Sequence, residues 1–320
     1  MMQLLTLVEL PGRPPRIAPS TRVVMLGSCF ASHIGGRLQR AGLQVEVNPF
    51  GVVYNPESIA LALDALMEGN VKEDWFFQGR DGMWHSWLHA TAFSAQDKDT
   101  CVRCVAERLR TAREMLMKAE VVCLTFGTNR VYEQAGRVVG NCHKEPAVQF
   151  TERSLTVTEI VVRWRELLKR LHKWNSKLEV VFTVSPYRYA KYGLIESQRA
   201  KATLLLAVDE LMRHEQQALG AEGKMHYFPA YEILLDELRD YRFYAEDMLH
   251  PSEQAVTYIW QRFTSWAFTP EALNFAREWE RTERDLAHRP LNPDSDAHKA
   301  FVEKVMAKRE LLKEMRGSEQ

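Results

Sequence analysis

Asp247 and His250 stand three residues apart in Asp247-Met248-Leu249-His250-Pro251-Ser252. On a turn, that spacing lets the carboxylate accept from one imidazole nitrogen and leave the other free as a base. A capping Asp beside a surface His is the plainer alternative, but His-Pro-Ser ahead of a helix fixes the His at that helix's entrance. A base needs a nucleophile, and Gly27-Ser28-Cys29-Phe30-Ala31 offers a hydroxyl and a thiol where an apolar run meets a helix. There the helix dipole and free amides lower a thiol pKa and can hold an oxyanion. The same residues also suit a tight turn with Ser28 as N-cap and Cys29 small and buried. Asn48-Pro49-Phe50-Gly51 can present a bare backbone N–H, and Gly127-Thr128-Asn129 a side-chain amide, to a developing negative oxygen. Each is also an ordinary turn. Together they describe acyl transfer.

The elements that must bring these segments together follow from the apolar pattern. Arg22–Gly27, Leu43–Val47, Glu120–Phe126, Leu178–Ser185 and Met225–Phe228 read as strands. Helical patterns cover Ala31–Ala41, Pro56–Glu68, Val102–Ala119, Val157–Trp174, Gln198–Ala218 and Ser252–Trp266. Strands alternating with helices imply right-handed crossovers and a parallel sheet covered on both faces, a three-layer α/β/α domain. Ligands in such sheets sit beyond the carboxyl ends of the strands, where all four motifs fall.

Trp75–Ser94 is aromatic-rich, too irregular for a core helix and too apolar for a solvated loop, and reads as an insertion folded over a site. Within it His85 and His89 are four apart; on a helix they would face one way, but the Glu of a zinc-protease motif is replaced by Ser86 and no third ligand is evident. A pocket-lining or structural role is expected, and no metal. Asn141-Cys142-His143-Lys144 is a polar cluster that suits either an anionic ligand or a surface loop. Cys101 and Cys104 form a lone C-x-x-C without a second pair. Pro270–Arg316 reads as two exposed amphipathic helices with a turn at His288–Pro293, and a helical appendage packed on the domain is the favoured role.

The 320 residues carry 42 Lys+Arg against 42 Asp+Glu, 46% hydrophobic and 26% charged residues. That composition excludes a mostly disordered chain and gives no broad electrostatic reason to seek nucleic acid or an acidic membrane. No apolar run is long enough to span a bilayer. The start, MMQLLTLVELPGRPP, lacks a basic n-region and carries Glu9 early, so it reads as a cytoplasmic N-terminus. Five cysteines (Cys29, Cys101, Cys104, Cys123, Cys142), an odd number, argue against a disulfide framework and suit a reducing compartment.

The order and placement of the strand-end motifs resemble the SGNH (GDSL-like) hydrolase superfamily, and more closely the GSCFA-domain family, named for the residues at Gly27–Ala31. The resemblance continues through NPFGVVYNP, LTFGTNRVYE, NCHKEP, TVSP, Ala200–Thr203 (AKAT), YFPAYE, DELRDYRFYAEDMLHPS and HRPLNP, nearly the whole chain. It implies a flavodoxin-like parallel sheet over residues 1–268, with the insertion at about 70–98, and a charged helical extension over 269–320. It implies a triad of nucleophile, Asp247 and His250, and an oxyanion hole from the nucleophile's N–H, the Gly51 N–H and the Asn129 amide. The superfamily nucleophile stands two residues after Gly, which favours Cys29 and puts Ser28 where Asp usually stands; Ser28 serves only if the turn shifts by one residue. His85, His89, Asn141, His143 and Arg188 are placed along the substrate. After SPxR the family tends to carry His and Asp-Gly; Tyr189 and Tyr192-Gly193 stand there instead and put substrate choice in question. The implied activity is an esterase or deacetylase on a small-molecule or carbohydrate acyl ester, with no cofactor for hydrolysis. Transfer to a sugar hydroxyl, or a catalytically silent binding protein on the same fold, are the alternatives.

Overall fold

The computed structural model describes residues 6–219, 223–289 and 295–317. Five strands, β1 (Arg22–Gly27), β2 (Gln44–Val47), β5 (Val121–Phe126), β9 (Glu179–Val184) and β10 (Met225–Tyr227), form one sheet in the order β10-β9-β5-β1-β2. Every pairing is parallel, and the order is that of the flavodoxin-like doubly wound fold. Alternation along the strands sorts their side chains into two cores. Val24, Leu26, Leu124, Phe126 and Phe182 face α2 (Pro56–Glu68), α3 (Lys98–Met117), α4 (Val157–Trp174) and α5 (Leu194–Leu219). Val23, Met25, Cys123 and Val181 face α1 (Cys29–Arg40), the short α6 (Ala230–Glu232), α7 (Glu253–Ala267) and α8 (Pro270–Ala287). The expected three-layer α/β/α architecture is therefore observed, with Trp164 fully buried between Phe126 and Phe182.

The boundaries have local causes. Asn55 caps α2 by accepting from Ser58 N–H, with Pro56 at its first position. Thr156 and Glu159 close a capping box on α4. The expected strand at Leu43 starts one residue later, and α3 and α5 each begin four residues earlier than their apolar periodicity indicated, because Asp97 caps α3 and the first turn of α5 opens on Leu194 and Ile195, which are exposed and lie off its buried stripe.

Two departures from the sequence reading matter. Trp75–Ser94 contains an antiparallel hairpin, β3 (Phe76–Gln78) and β4 (Trp84–Ser86), so His85 and His89 are not on a helix. Residues 130–154 form an unanticipated antiparallel sheet, β7 (Arg137–Val139), β6 (Arg130–Gln134) and β8 (Phe150–Ser154). Its tight turn uses Ala135 and Gly136, both at positive φ, and an Ala in place of the usual Asn hid the hairpin. The helices α8 and α9 (Asp296–Gly317) are amphipathic and packed on the domain, while Phe301, Met306, Leu311 and Met315 of α9 stay exposed. Phe275, Trp279 and Leu312 belong to the second core, and an added Cβ on Gly42 would stand 2.4 Å from the Trp279 ring. The turn expected at His288–Pro293 lies largely outside the described residues.

Candidate active site

The order in which strands are added switches sides between β1 and β5, the place where doubly wound sheets open a crevice. Gly27 ends β1 there with φ +145°, and an added Cβ would stand 2.4 Å from the Thr125 carbonyl oxygen, so only glycine lets the strands approach this closely. Ser28 follows as the N-cap of α1. Its Oγ accepts from Phe30 N–H at 3.3 Å, its backbone N–H donates to Thr125 O, and the residue is buried. Cys29, the first helical residue, is exposed. Neighbouring protein still raises its thiol pKa by desolvation, while its own amide pulls the other way.

The Asp247–His250 turn is built from backbone bonds. Met248 takes φ +58°, which folds the chain so that Asp247 Oδ1 accepts from both Leu249 N–H and His250 N–H at 2.9 Å. Asp247 Oδ2 lies 2.5 Å from His250 Nδ1. These bonds hold the Asp247 carboxyl down at about 2, first through the His250 amide and then through its ring. Arg188 braces the turn rather than reaching outward: its N–H donates to Leu249 O at 3.0 Å and its guanidinium to Met248 O at 3.1 Å.

Two residues that the sequence reading did not single out join these parts. The Tyr187 ring lies 4.4 Å from the His250 ring, centroid to centroid, and its hydroxyl pKa is raised by burial and then by the charges of Asp247 and Cys29. Tyr187 thus packs against the ring of the Asp247–His250 pair. Lys201 is buried, and its Nζ donates to Gly127 O at 2.6 Å and Ser185 O at 2.7 Å. Burial draws its pKa down to about 7. It ties the turn after β5 to the turn after β9, which carries Tyr187 and Arg188. The signal for Lys201 was a lysine in register with Leu204, Val208 and Leu211 on the buried stripe of α5.

The two expected oxyanion donors are both engaged, Gly51 within its own turn and Asn129 by the distant Leu155 carbonyl. Gly51 N–H donates to Asn48 O at 2.8 Å, and its φ is +81°, with an added Cβ 2.2 Å from Ala90 Cβ. Asn129 Nδ2 donates to Leu155 O at 2.8 Å, which uses one of its two hydrogens. Asn48 fixes the first turn instead, accepting from Gly27 N–H and donating to Ser32 Oγ.

The remaining candidates divide. His85 and His89 are interior, each 1% exposed. The His85 ring contacts Ser94 and Asp81, and stacks on His143 at 4.5 Å. His89 stacks on Phe50 at 4.4 Å, meets Ser86 Oγ through Nδ1, and leaves Nε2 without a partner. Burial and then the nearby His143 drop its pKa to about 3. Among the described residues, no group of three or more His, Cys, Asp or Glu is placed to hold a metal. Asn141 and His143 line a cavity of about 480 Å³ beside Tyr54 and Tyr189.

Comparison with known proteins gives two family matches. The GSCFA family model covers residues 22–263, and the model of the GSCFA domain protein C-terminal domain covers 279–316. The chain belongs to the GSCFA family. No curated protein matches this GSCFA chain. Among solved structures, the crystal structure of a carbohydrate esterase family 3 from Talaromyces cellulolyticus aligns with TM-score 0.37 and 10% identity, covering 81% of the GSCFA chain and 99% of that one. No helix among the described residues is long and apolar enough to cross a membrane.

Proposed function

We propose that this GSCFA protein performs SGNH-type acyl-ester chemistry through a covalent acyl-enzyme on Cys29. The observation that carries the reading is the Asp247–His250 pair at 2.5 Å, together with an exposed thiol at the first position of α1. Cys29 is preferred to Ser28 because the Ser28 hydroxyl is buried and caps the helix. The raised thiol pKa keeps the resting thiol protonated, so the reaction needs a base.

Asp247 holds Nδ1 of His250, and Nε2 takes the Cys29 proton as sulfur attacks the ester carbonyl carbon. The carbonyl electron pair moves to oxygen, stabilised by the Cys29 N–H at the helix terminus and the second Asn129 hydrogen. Collapse breaks the ester C–O bond, and the leaving oxygen takes the proton from His250. Water, or a sugar hydroxyl in an acyltransferase, then gives its proton to His250 and accepts the acyl group, and the thiol reforms. The catalytic unit would span residues 1–268 with 269–320 as its extension, and five free thiols fit a reducing, cytoplasmic setting.

A silent binding protein is the second reading, favoured by the internal bond on the Gly51 amide and the occupied Asn129 amide. Hydrolysis of p-nitrophenyl acetate separates the two. Acyl-enzyme chemistry predicts that Cys29→Ala abolishes turnover, His250→Ala lowers it roughly hundredfold or more, and Ser28→Ala, once shown to be folded, keeps it. Full turnover in Cys29→Ala contradicts the assignment.

A further inference from the structure

We infer that the cavity walled by Tyr54, Tyr132, Tyr189, Asn141, Glu152 and Lys191 is a binding site for an uncharged sugar, which presents a hydroxyl, free or acylated, to Cys29. The inference rests on the ester reading and names the substrate class of that same site.

Position comes first. An added Cβ on Gly127 would meet Tyr54 Cβ at 3.0 Å and Ser28 Cβ at 3.6 Å, so the Tyr54 wall abuts the nucleophile turn. On the other side the Tyr189 ring lies 6.3 Å from the Tyr187 ring, which in turn contacts His250. The cavity, about 480 Å³, is of a size for a mono- or disaccharide.

Charge gives no preference for an anion. The side chains of formal charge that line it are Lys144 and Lys191 against Glu145 and Glu152, which cancel. Burial raises the pKa of the Tyr54, Tyr132 and Tyr189 hydroxyls, and lowers that of His143, so these walls are neutral. The polar groups are fixed in place. Lys191 sits 4.9 Å from the centroids of both the Tyr132 and Tyr192 rings and 3.8 Å from Glu152 Oε2. Glu152 Oε1 is buried with no hydrogen-bond partner among the described residues. A buried carboxylate oxygen calls for a donor, and an alcohol supplies one where a phosphate or carboxylate would be repelled. Tyrosine rings give apolar faces for sugar C–H groups and hydroxyls for its oxygens.

The test is ligand-observed saturation-transfer NMR on the full chain. The probes are a panel of free pentoses, hexoses and uncharged disaccharides, with inorganic phosphate as the anionic control. Binding of neutral sugars is expected, weakened at least tenfold in both Glu152→Ala and Tyr189→Ala, each checked for an unchanged melting transition. No sugar binding by the folded wild type, phosphate binding in preference, or sugar binding unaltered in both variants overturns it. Sugar binding by a protein with no acyl-transfer activity would refute the ester reading and leave the pocket standing; acyl transfer without sugar binding would do the reverse.

Discussion

Asp247 grips His250 twice, accepting from its backbone N–H at 2.9 Å and lying 2.5 Å from its Nδ1. The carboxylate therefore fixes both the turn and the ring. It also fixes the tautomer, since Nδ1–H points at a carboxylate and Nε2 is left as acceptor. Leu249, between them in sequence, donates to the same oxygen as the His250 amide.

Asp247→Asn separates these duties. The amide can still accept from the two backbone N–H groups but no longer stabilises the imidazolium, so turnover should fall roughly 10³-fold or more with little loss of stability. Because Asp247 is held at about 2, its ionisation gives no acid limb to the pH–rate profile above about pH 4. Stopped turnover with an unchanged melting curve supports the role; a rate within twofold of wild type contradicts it.

Lys201 makes a prediction about stability. Its folded pKa, drawn down to about 7 by burial, lies below the unfolded value of about 10.4. Between these values the unfolded chain binds more protons, so this group's contribution grows as pH rises through the window and is smallest below it. Lys201→Met removes that dependence and orphans the Gly127 and Ser185 carbonyls, a loss of roughly 2–4 kcal/mol. Urea melts should show the wild-type advantage larger at pH 9 than at pH 6. A gap that does not change with pH would show that Lys201 is charged throughout.

His89 acts in the acid range. Its folded pKa of about 3 lies below the unfolded value of about 6.5, so the unfolded state gains the proton first as pH falls. Stability should decline below about pH 6.5, by up to about 1.4 kcal/mol per pH unit. His89→Gln should flatten the difference between urea midpoints at pH 7 and pH 4.5. Parallel wild-type and variant curves would contradict the buried neutral ring.

The sheet and its covering helices were legible because strand alternation and helical periodicity report burial directly: Val24 and Leu26 fall on one face, Val23 and Met25 on the other. The Asp247–His250 contact was legible because a three-residue spacing on a turn is short enough for local geometry to decide. Tyr187 and Lys201 were not. Their partners, His250 for the one and Gly127 and Ser185 for the other, come together only when the ends of β5 and β9 and the loop before α7 converge. The hairpin at Ala135-Gly136 was hidden for a different reason, since its left-handed Ala leaves no compositional mark.

The central claim is that Cys29 carries the acyl group and His250 drives it there. Intact-protein mass after brief exposure to an activated acetyl ester, and separately to acetyl-CoA, followed by peptide mapping, tests this directly. The account predicts one acetyl group on Cys29, absent in His250→Ala, with release accelerated by a sugar if the protein is a transferase. An adduct on Ser28 instead, an adduct on Cys29 undiminished in His250→Ala, or no adduct from either donor on the folded protein would contradict it.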